Sequence, residues 1–257
     1  MRHPILTLAA LASLGFLLVA CNAPSQSADR GSMDPDARLR LAEAAQASGD
    51  AELAVSMYQA AAAAAPDNIN LQLRCATGLS RNGRTSAARD LLIQRLKAHP
   101  RDSDLLRGLA AIYVVSGQIS PAMNQLDNAL AARPGDSNAL LDKAVALDLQ
   151  GRHADAQRQY REILARTPGD PIVSNDLAVS LMIEGRTREA QAVLEPFADD
   201  DGVPDRLRIN LGLIYAANGD ADAARRLLGA LYGDGDVQTL TQTIASAATH
   251  QTGTSPQ

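Results

Sequence analysis

Six glycines recur every 34 residues, and this fixed period constrains the fold more than any other feature of the sequence. They are Gly49, Gly83, Gly117, Gly151, Gly185 and Gly219. An alanine follows each glycine by five residues, at Ala54, Ala88, Ala122, Ala156, Ala190 and Ala224. Four prolines keep the same step, at Pro66, Pro100, Pro134 and Pro168. A period of this length indicates stacked copies of one supersecondary unit, which together offer a long binding surface.

Each repeat predicts a pair of helices. With repeats counted from residues 35, 69, 103, 137, 171 and 205, the eighth position is always small. Large apolar residues occupy most seventh, eleventh and twenty-fourth positions, although Lys143 stands at one seventh position. Apolar residues follow helical spacing, as in Leu105, Leu109 and Ile112. We expect the glycine to end the first helix, because it adopts a left-handed conformation readily, and the proline to stop the second.

The turns between repeats carry signals for helix starts. Asp102, Asp136 and Asp170 each stand just before a predicted first helix. A carboxylate there accepts hydrogen bonds from the free amides of the first turn, so we expect all three to be N-caps. Pro121 falls near the start of a second helix. Ser120 and Pro121 fit an N-cap followed by the first helical residue, where proline is tolerated.

This pattern resembles the tetratricopeptide repeat, which has small residues at positions 8 and 20, Leu or an aromatic at 24 and Pro at 32. The resemblance implies an all-α, right-handed superhelical solenoid of about six helix-turn-helix units over residues 35–235. The fifth repeat has Gly202 where Pro is usual and Pro204 two residues later, so we expect a different turn there. A capping helix is a further possibility at 236–250, and a disordered tail is expected at 251–257. The alternative, an alanine-rich bundle, gives no reason for six repeats in phase.

The N-terminus predicts export. Residues 1–20 combine Arg2 with an apolar stretch that is shorter than a membrane span, and this pattern is typical of a secretory signal. Leu18-Val19-Ala20-Cys21 resembles the lipobox of bacterial lipoproteins, which implies that Cys21 is lipidated, with palmitate among its acyl chains. The alternative is an ordinary signal peptide with an incidental cysteine. Residues 21–34 are expected to form a flexible tether. By resemblance to the known sorting rule, Asn22 implies the outer membrane, facing the periplasm.

Charge and cysteine content narrow the function classes. The net charge of −5 does not suggest a nucleic-acid binder. Residues 69–102 hold seven basic and two acidic residues, whereas residues 171–204 hold two basic and seven acidic ones. This asymmetry fits either solvated helix faces or a polarised surface that orients a protein partner. Cys75 is the cysteine left after lipidation of Cys21, and its position predicts a small core side chain.

The first helix of each pair lines the concave surface in this family, which implies a partner-binding strip. The residues predicted to line it are Leu73, Thr77, Arg107, Val114, Leu141, Val145, Asn175, Val179, Met182, Asn210 and Leu213. An apolar strip edged by Asn and Arg suits an extended or helical peptide. Asn175 and Asn210 are candidates for hydrogen bonds to a partner's backbone; the alternative is a cap or local turn contact.

The sequence lacks the patterns that carry catalysis or cofactor binding. Its four histidines have no metal spacing, and it contains neither a phosphate-binding loop nor a nucleophile elbow. The run Asp199, Asp200 and Asp201 lacks the alternating ligands of a calcium loop. We therefore expect no enzyme activity, no cofactor, no metal and no small-molecule substrate.

The order of lipobox, tether, repeats and short tail resembles the repeat lipoproteins of Tad (Flp) pilus assembly. Local likeness lies in residues 205–213 and in Asn175-Asp176-Leu177-Ala178-Val179. The resemblance implies an outer-membrane scaffold that helps a secretin or other pilus components to assemble. Two alternatives remain: a repeat lipoprotein of outer-membrane β-barrel assembly, and an accessory of a periplasmic cell-wall enzyme or such an enzyme itself.

Overall fold

The computed structural model describes residues 33–229 together with Tyr232 and Thr239. The chain divides into two units, Met1–Met33 and Asp34–Gln257, and the described helices all belong to the second. The predicted signal at 1–20, most of the tether at 21–34 and the tail at 251–257 therefore lie outside the described residues. The predicted capping helix at 236–250 does too, apart from Thr239, which is helical. Within the described part, no helix has the length and apolar character that a membrane span requires.

The regular secondary structure of the described part is helical, as the repeat pattern predicts. The first helix of each repeat has 13 residues, and the second has 14 in the first four repeats. Residues 33–229 contain no strand. The helices are α1 (Pro35–Ala47), α2 (Ala51–Ala64), α3 (Ile69–Arg81), α4 (Thr85–Ala98), α5 (Ser103–Val115), α6 (Ile119–Ala132), α7 (Ser137–Leu149), α8 (His153–Arg166), α9 (Pro171–Ile183), α10 (Thr187–Leu194), α11 (Asp205–Ala217) and α12 (Ala221–Gly229).

The periodic glycines end the first helices, which confirms their predicted role. All six have positive φ values, between 70° and 86°. At Gly151 the φ is +74°, and the chain closes the helix end with a 2.9 Å bond from the Gly151 amide to the Asp148 carbonyl. A side chain added at Gly151 would meet no atom within 4 Å. The need for glycine there therefore comes from the backbone conformation and not from crowding.

The predicted N-caps are confirmed. The carboxylate of Asp102 accepts a 2.9 Å bond from the Leu105 amide, and Asp136 and Asp170 each accept from two amides of their own first turns. The prediction for Pro121 is wrong. The helix α6 begins two residues earlier, at Ile119, with Gln118 at the cap position, so Pro121 is the third helical residue. Proline is tolerated there because the first four amides of a helix have no intrahelical acceptor.

The fifth repeat departs from the others, as expected, but the cause lies earlier in the chain than Gly202. The helix α10 has only 8 residues and passes into a 3₁₀ turn at Glu195–Phe197. Pro196 lacks the amide that would continue the helix, and its ring crowds the preceding turn. Pro204 then occupies the cap position of α11.

Contacts run between neighbouring helices, as in a solenoid. Each helix packs on the next, and each odd-numbered helix also touches the next odd-numbered one, from α1 to α11. No pair of even-numbered helices has contacts of comparable extent among the described residues. The odd-numbered helices therefore form the inner layer of a curved stack, as the family resemblance implies.

Small and large residues interlock inside this stack. A β-carbon added to Gly78 would lie 2.1 Å from the ring of Tyr58, and one added to Gly212 would lie 2.6 Å from Leu228. Cys75 is fully buried in the N-terminal part of the core, which confirms its predicted role. Burial raises the pKa of its thiol to about 12. The sulfur is thus a neutral packing atom at physiological pH.

Candidate protein-binding surface

The residues predicted to bind a partner all lie on odd-numbered helices, from α3 to α11. Most are half-buried, Thr77 is exposed, and Asn175 is only 3% exposed. Leu73, Leu141, Val145 and Met182 rest partly against the core, so a fraction of each side chain already contributes to stability. The concave face therefore presents shallow apolar patches. Binding at these residues stays a prediction.

An exposed aliphatic row lies along one edge of this face. Val115, Leu149 and Ile183 are 68%, 54% and 59% exposed, and each is the last residue of its helix. They are 34 residues apart, so the stacking of repeats brings them to equivalent places on successive helices. The strip predicted from the family resemblance does not include them, because none of its residues stands at the thirteenth position of a repeat. The signal was present, since the thirteenth position is aliphatic in three consecutive repeats.

Part of this row borders a cleft of about 210 Å³ between α7 and α9. We name it the α7/α9 groove; its lining is Val145, Asp148, Leu149, Tyr160, Asp176, Val179 and Ile183. Two residues predicted for binding, Val145 and Val179, thus meet two members of the exposed row. Four aliphatic side chains line the groove together with two carboxylates. The groove therefore combines a surface that favours apolar contact with a negative charge.

A larger cleft of about 620 Å³ lies nearer the N-terminus, between α3, α5 and α7. Arg107 stands in it with its Nε 2.8 Å from Asp142 Oδ2 and its Nη1 3.6 Å from Asp104 Oδ1. Burial raises the pKa of Asp142, although Arg107 opposes the shift. Arg107 is therefore already engaged within the protein. A partner that uses this guanidinium has to share it with the two carboxylates.

Asn175 and Asn210 bond to each other. The Asn210 Nδ2 donates a 2.8 Å hydrogen bond to Asn175 Oδ1, and the Asn175 Nδ2 donates to Asp176 Oδ1 at 3.2 Å. The pair links α9 to α11, which neither predicted alternative anticipated. Asn175 is buried, so its amide serves the contact between repeats. Asn210 is half-buried and is the more accessible member of the pair.

A polar network that includes the groove residues Asp148 and Tyr160 joins the fourth and fifth repeats. Asp148 accepts bonds from Ser180 Oγ at 2.7 Å and Tyr160 OH at 3.0 Å, and its Oδ1 lies 2.9 Å from His153 Nδ1. Burial and the Asp148 carboxylate raise the pKa of Tyr160 far above its ordinary value. Gln157, fully buried, donates to Ser180 Oγ at 3.3 Å and to Glu184 Oε2 at 2.8 Å.

This network contains the residue types of a serine hydrolase in a different arrangement. A catalytic serine gives its proton to histidine, and the aspartate orients that histidine from the other side. Here the aspartate is central, and both Ser180 and His153 bond to it directly. The Ser180 side chain is fully buried, so a substrate carbonyl cannot reach its oxygen. The geometry suits a structural link between repeats.

The acidic turn of the fifth repeat is exposed. Asp199, Asp200 and Asp201 all lie at the surface, and Asp200 Oδ1 accepts a 2.8 Å bond from the Gly202 amide. Over the part of the chain that the structure describes, no group of three or more His, Cys, Asp or Glu side chains converges as metal ligands would. The arrangement is that of an Asx turn.

Comparison with known proteins gives a consistent family assignment. Tetratricopeptide repeats match residues 45–112, 79–146 and 114–178, and a second form of the repeat matches 175–236. No curated protein is significantly similar to the chain in sequence.

Solved structures share the fold at low sequence identity. PilW, described as a widely conserved type IV pilus biogenesis factor, is similar with a TM-score of 0.63 and 20% identity, over 82% of this chain and 97% of that one. Pseudomonas aeruginosa PilF gives a TM-score of 0.58 and 18% identity, over 81% and 97%. The Thermus thermophilus repeat protein TTC0263 has a TM-score of 0.59 and 19% identity, over 70% of this chain and 98% of that one.

Proposed function

The chain belongs to the tetratricopeptide repeat family, and from this premise we propose that it is a non-enzymatic scaffold of the outer membrane that helps a pilus or its secretin to assemble. The observation that carries the scaffold role is the exposed row of Val115, Leu149 and Ile183 beside the α7/α9 groove. Leu149 and Ile183 line this groove together, and exposed aliphatic side chains that share one surface favour protein contact. A stack of repeats holds them at fixed spacing, which suits recognition of one extended or helical segment.

The pilus role has two supports. The order of lipobox, tether and repeats resembles Tad (Flp) pilus lipoproteins, and two of the structures with similar folds are PilW and PilF, the first of which is described as a type IV pilus biogenesis factor. Partners are then pilus or secretin components. The scaffold would meet them in the periplasm.

The anchor depends on Cys21. Lipid chains contribute about 0.8 kcal/mol for each buried methylene, and more than one chain is needed for stable attachment. We expect Cys21→Ser to leave a folded but unanchored protein, because residue 21 lies outside the repeats. Membrane fractionation of the variant and of the unchanged chain tests this. Detergent-sensitive retention of the variant in the membrane fraction would contradict the anchor.

The scaffold role is tested by crosslinking in intact cells followed by purification from envelope fractions. We expect capture of a secretin or pilus subunit, and loss of secretin multimers when the gene is deleted. Restoring the unchanged chain should return the multimers. Capture of cell-wall enzymes or of β-barrel assembly proteins, with secretin multimers intact in the deletion strain, would contradict the pilus role and favour one of the two alternatives.

A further inference from the structure

The α7/α9 groove holds a carboxylate with unused bonding capacity. Among the described residues, Asp176 accepts one hydrogen bond, from Asn175 at 3.2 Å, and forms one ion pair, with Arg206 at 3.7 Å. Both reach Oδ1, and the Arg206 side chain is 63% exposed, so this pair is weak. An ionised carboxylate has two oxygens and about four acceptor positions. Asp176 therefore has room for a further donor.

The surroundings of Asp176 favour a cation over a neutral donor. Its side chain is 21% exposed and lies between aliphatic walls, and burial raises the pKa of its carboxyl. The second groove carboxylate, Asp148, adds negative charge and shifts that pKa in the same direction. Asp148 already has three partners, Ser180, Tyr160 and His153, one more than Asp176. A positive group placed at Asp176 would offset both the cost of desolvating its charge and the repulsion from Asp148.

The walls of the groove define the rest of the ligand. Leu149 and Ile183 are more than half exposed, and Val145 and Val179 stand beside them. These side chains gain from contact with other aliphatic groups when water is expelled. The site thus combines an acidic position, Asp176, with apolar positions on α7 and α9. An anionic lipid surface would be repelled by the same carboxylates, which leaves a protein segment as the occupant.

We propose that the α7/α9 groove binds a segment of the partner protein in which a lysine or arginine is flanked by aliphatic residues, with the basic group on Asp176. This inference rests on the proposed scaffold function and specifies the chemistry of the partner. Asp176 provides the charge selectivity, and Leu149 and Ile183 provide contact that does not depend on charge. The two contributions can be separated by substitution.

The probes are short acetylated peptides in which one variable residue stands between leucine and valine residues, the variable residue being Lys, Arg, Gln or Glu. Fluorescence anisotropy with the full chain measures their affinity. We expect the Lys and Arg peptides to bind about tenfold tighter than the Gln peptide, because a charge-assisted hydrogen bond replaces a neutral one. The Glu peptide should bind most weakly.

The variants separate charge from apolar contact. Asp176→Asn keeps the size of the side chain, and we expect it to reduce the preference for Lys over Gln to about twofold or less. The control Asp67→Asn makes the same charge change at an exposed site outside the groove and should keep the preference. Ile183→Ala should weaken the Lys and Gln peptides equally. Its control is Ile93→Ala on α4, where the side chain is 37% exposed.

Several results would overturn the inference. Equal binding of Lys and Gln peptides to the unchanged chain would remove the role of charge, and loss of preference in Asp67→Asn would show a non-specific effect of net charge. Absence of peptide binding would contradict it too, whether or not sedimentation shows self-association through the groove. The envelope crosslinking distinguishes the two proposals. If Asp176→Asn captures the partner as efficiently as the unchanged chain does, the groove inference alone is contradicted. If the unchanged chain captures no partner, the scaffold function is contradicted.

Discussion

The hydroxyl of Ser180 donates a 2.7 Å hydrogen bond to Asp148, 32 residues earlier in the chain. The bond crosses from α9 to α7 and so joins two repeats through a buried hydroxyl and a half-buried carboxylate. Repeats in a solenoid are held mainly by such interfaces between neighbours, since each unit has little core of its own. The Asp148 network is therefore expected to control how strongly the fourth and fifth repeats are coupled.

Asp148→Ala tests this coupling. It leaves the Ser180 and Tyr160 hydroxyls without their acceptor, and each buried unpaired group costs about 1 to 3 kcal/mol. We expect a loss of about 3 kcal/mol in the free energy of unfolding, measured by urea denaturation followed by circular dichroism. The exposed site Asp67→Ala is the control and should change it little. Equal stabilities of the two variants would contradict the structural role of the network.

Gly151→Val tests the backbone role of the periodic glycines. The φ of +74° places Gly151 in the left-handed region, which costs a residue with a side chain about 1 to 2 kcal/mol. We expect a destabilisation of that size or more, because valine is β-branched, and a smaller loss in Gly151→Asn. Gly135→Ala is the matched control, since that glycine has open space and no positive φ. Unchanged thermal stability of Gly151→Val would refute the assigned turn.

Gly78→Ala tests a steric requirement instead. The added β-carbon would lie 2.1 Å from the ring of Tyr58, which is itself fully packed. We expect a loss of about 1 to 3 kcal/mol from overpacking, together with a shift of Tyr58. The double variant Gly78→Ala with Tyr58→Leu should recover part of it. A neutral single variant would mean that α2 and α3 lie further apart than the structure has them.

The reactivity of Cys75 reports on the closure of the N-terminal core. Its thiol is fully buried and has a pKa of about 12, so the native protein holds almost no thiolate at pH 8. We expect a thiol reagent to label Cys21→Ser, in which Cys75 is the remaining cysteine, only after unfolding. Labelling should track the denaturation curve. Rapid labelling of the native variant would contradict the packing of α3.

Sequence periodicity predicts what each repeat needs for itself. The turn at Gly151 and the cap at Asp136 depend on residues within a few positions, and the structure confirms both. Sequence periodicity predicts the contacts between repeats less well. The close approach of Gly78 to Tyr58 and the Asn210 bond to Asn175 depend on how one unit lies against the next.

In the candidate surface, too, the position within a repeat predicts some features, whereas others depend on how the repeats are stacked. Position within the repeat places Val145 and Val179 on the odd-numbered helices, where they line the groove. Asn175 shares that pattern but is buried, and its side-chain oxygen accepts a hydrogen bond from Asn210 of the next repeat. The family resemblance does not assign binding to the last residue of a helix, so it does not predict Leu149 and Ile183. Their exposure depends on where each helix ends and on the path of the turn after it.

Site-specific photo-crosslinking in cells is the most direct test of the central claim, that the odd-numbered helices present the partner-binding surface. A photoreactive amino acid replaces Val179 in the α7/α9 groove in one strain and Ile93, on the even-numbered helix α4, in another. We predict a crosslinked partner from position 179 and none from position 93. Crosslinking from position 93 alone, or equally from both, would contradict the account.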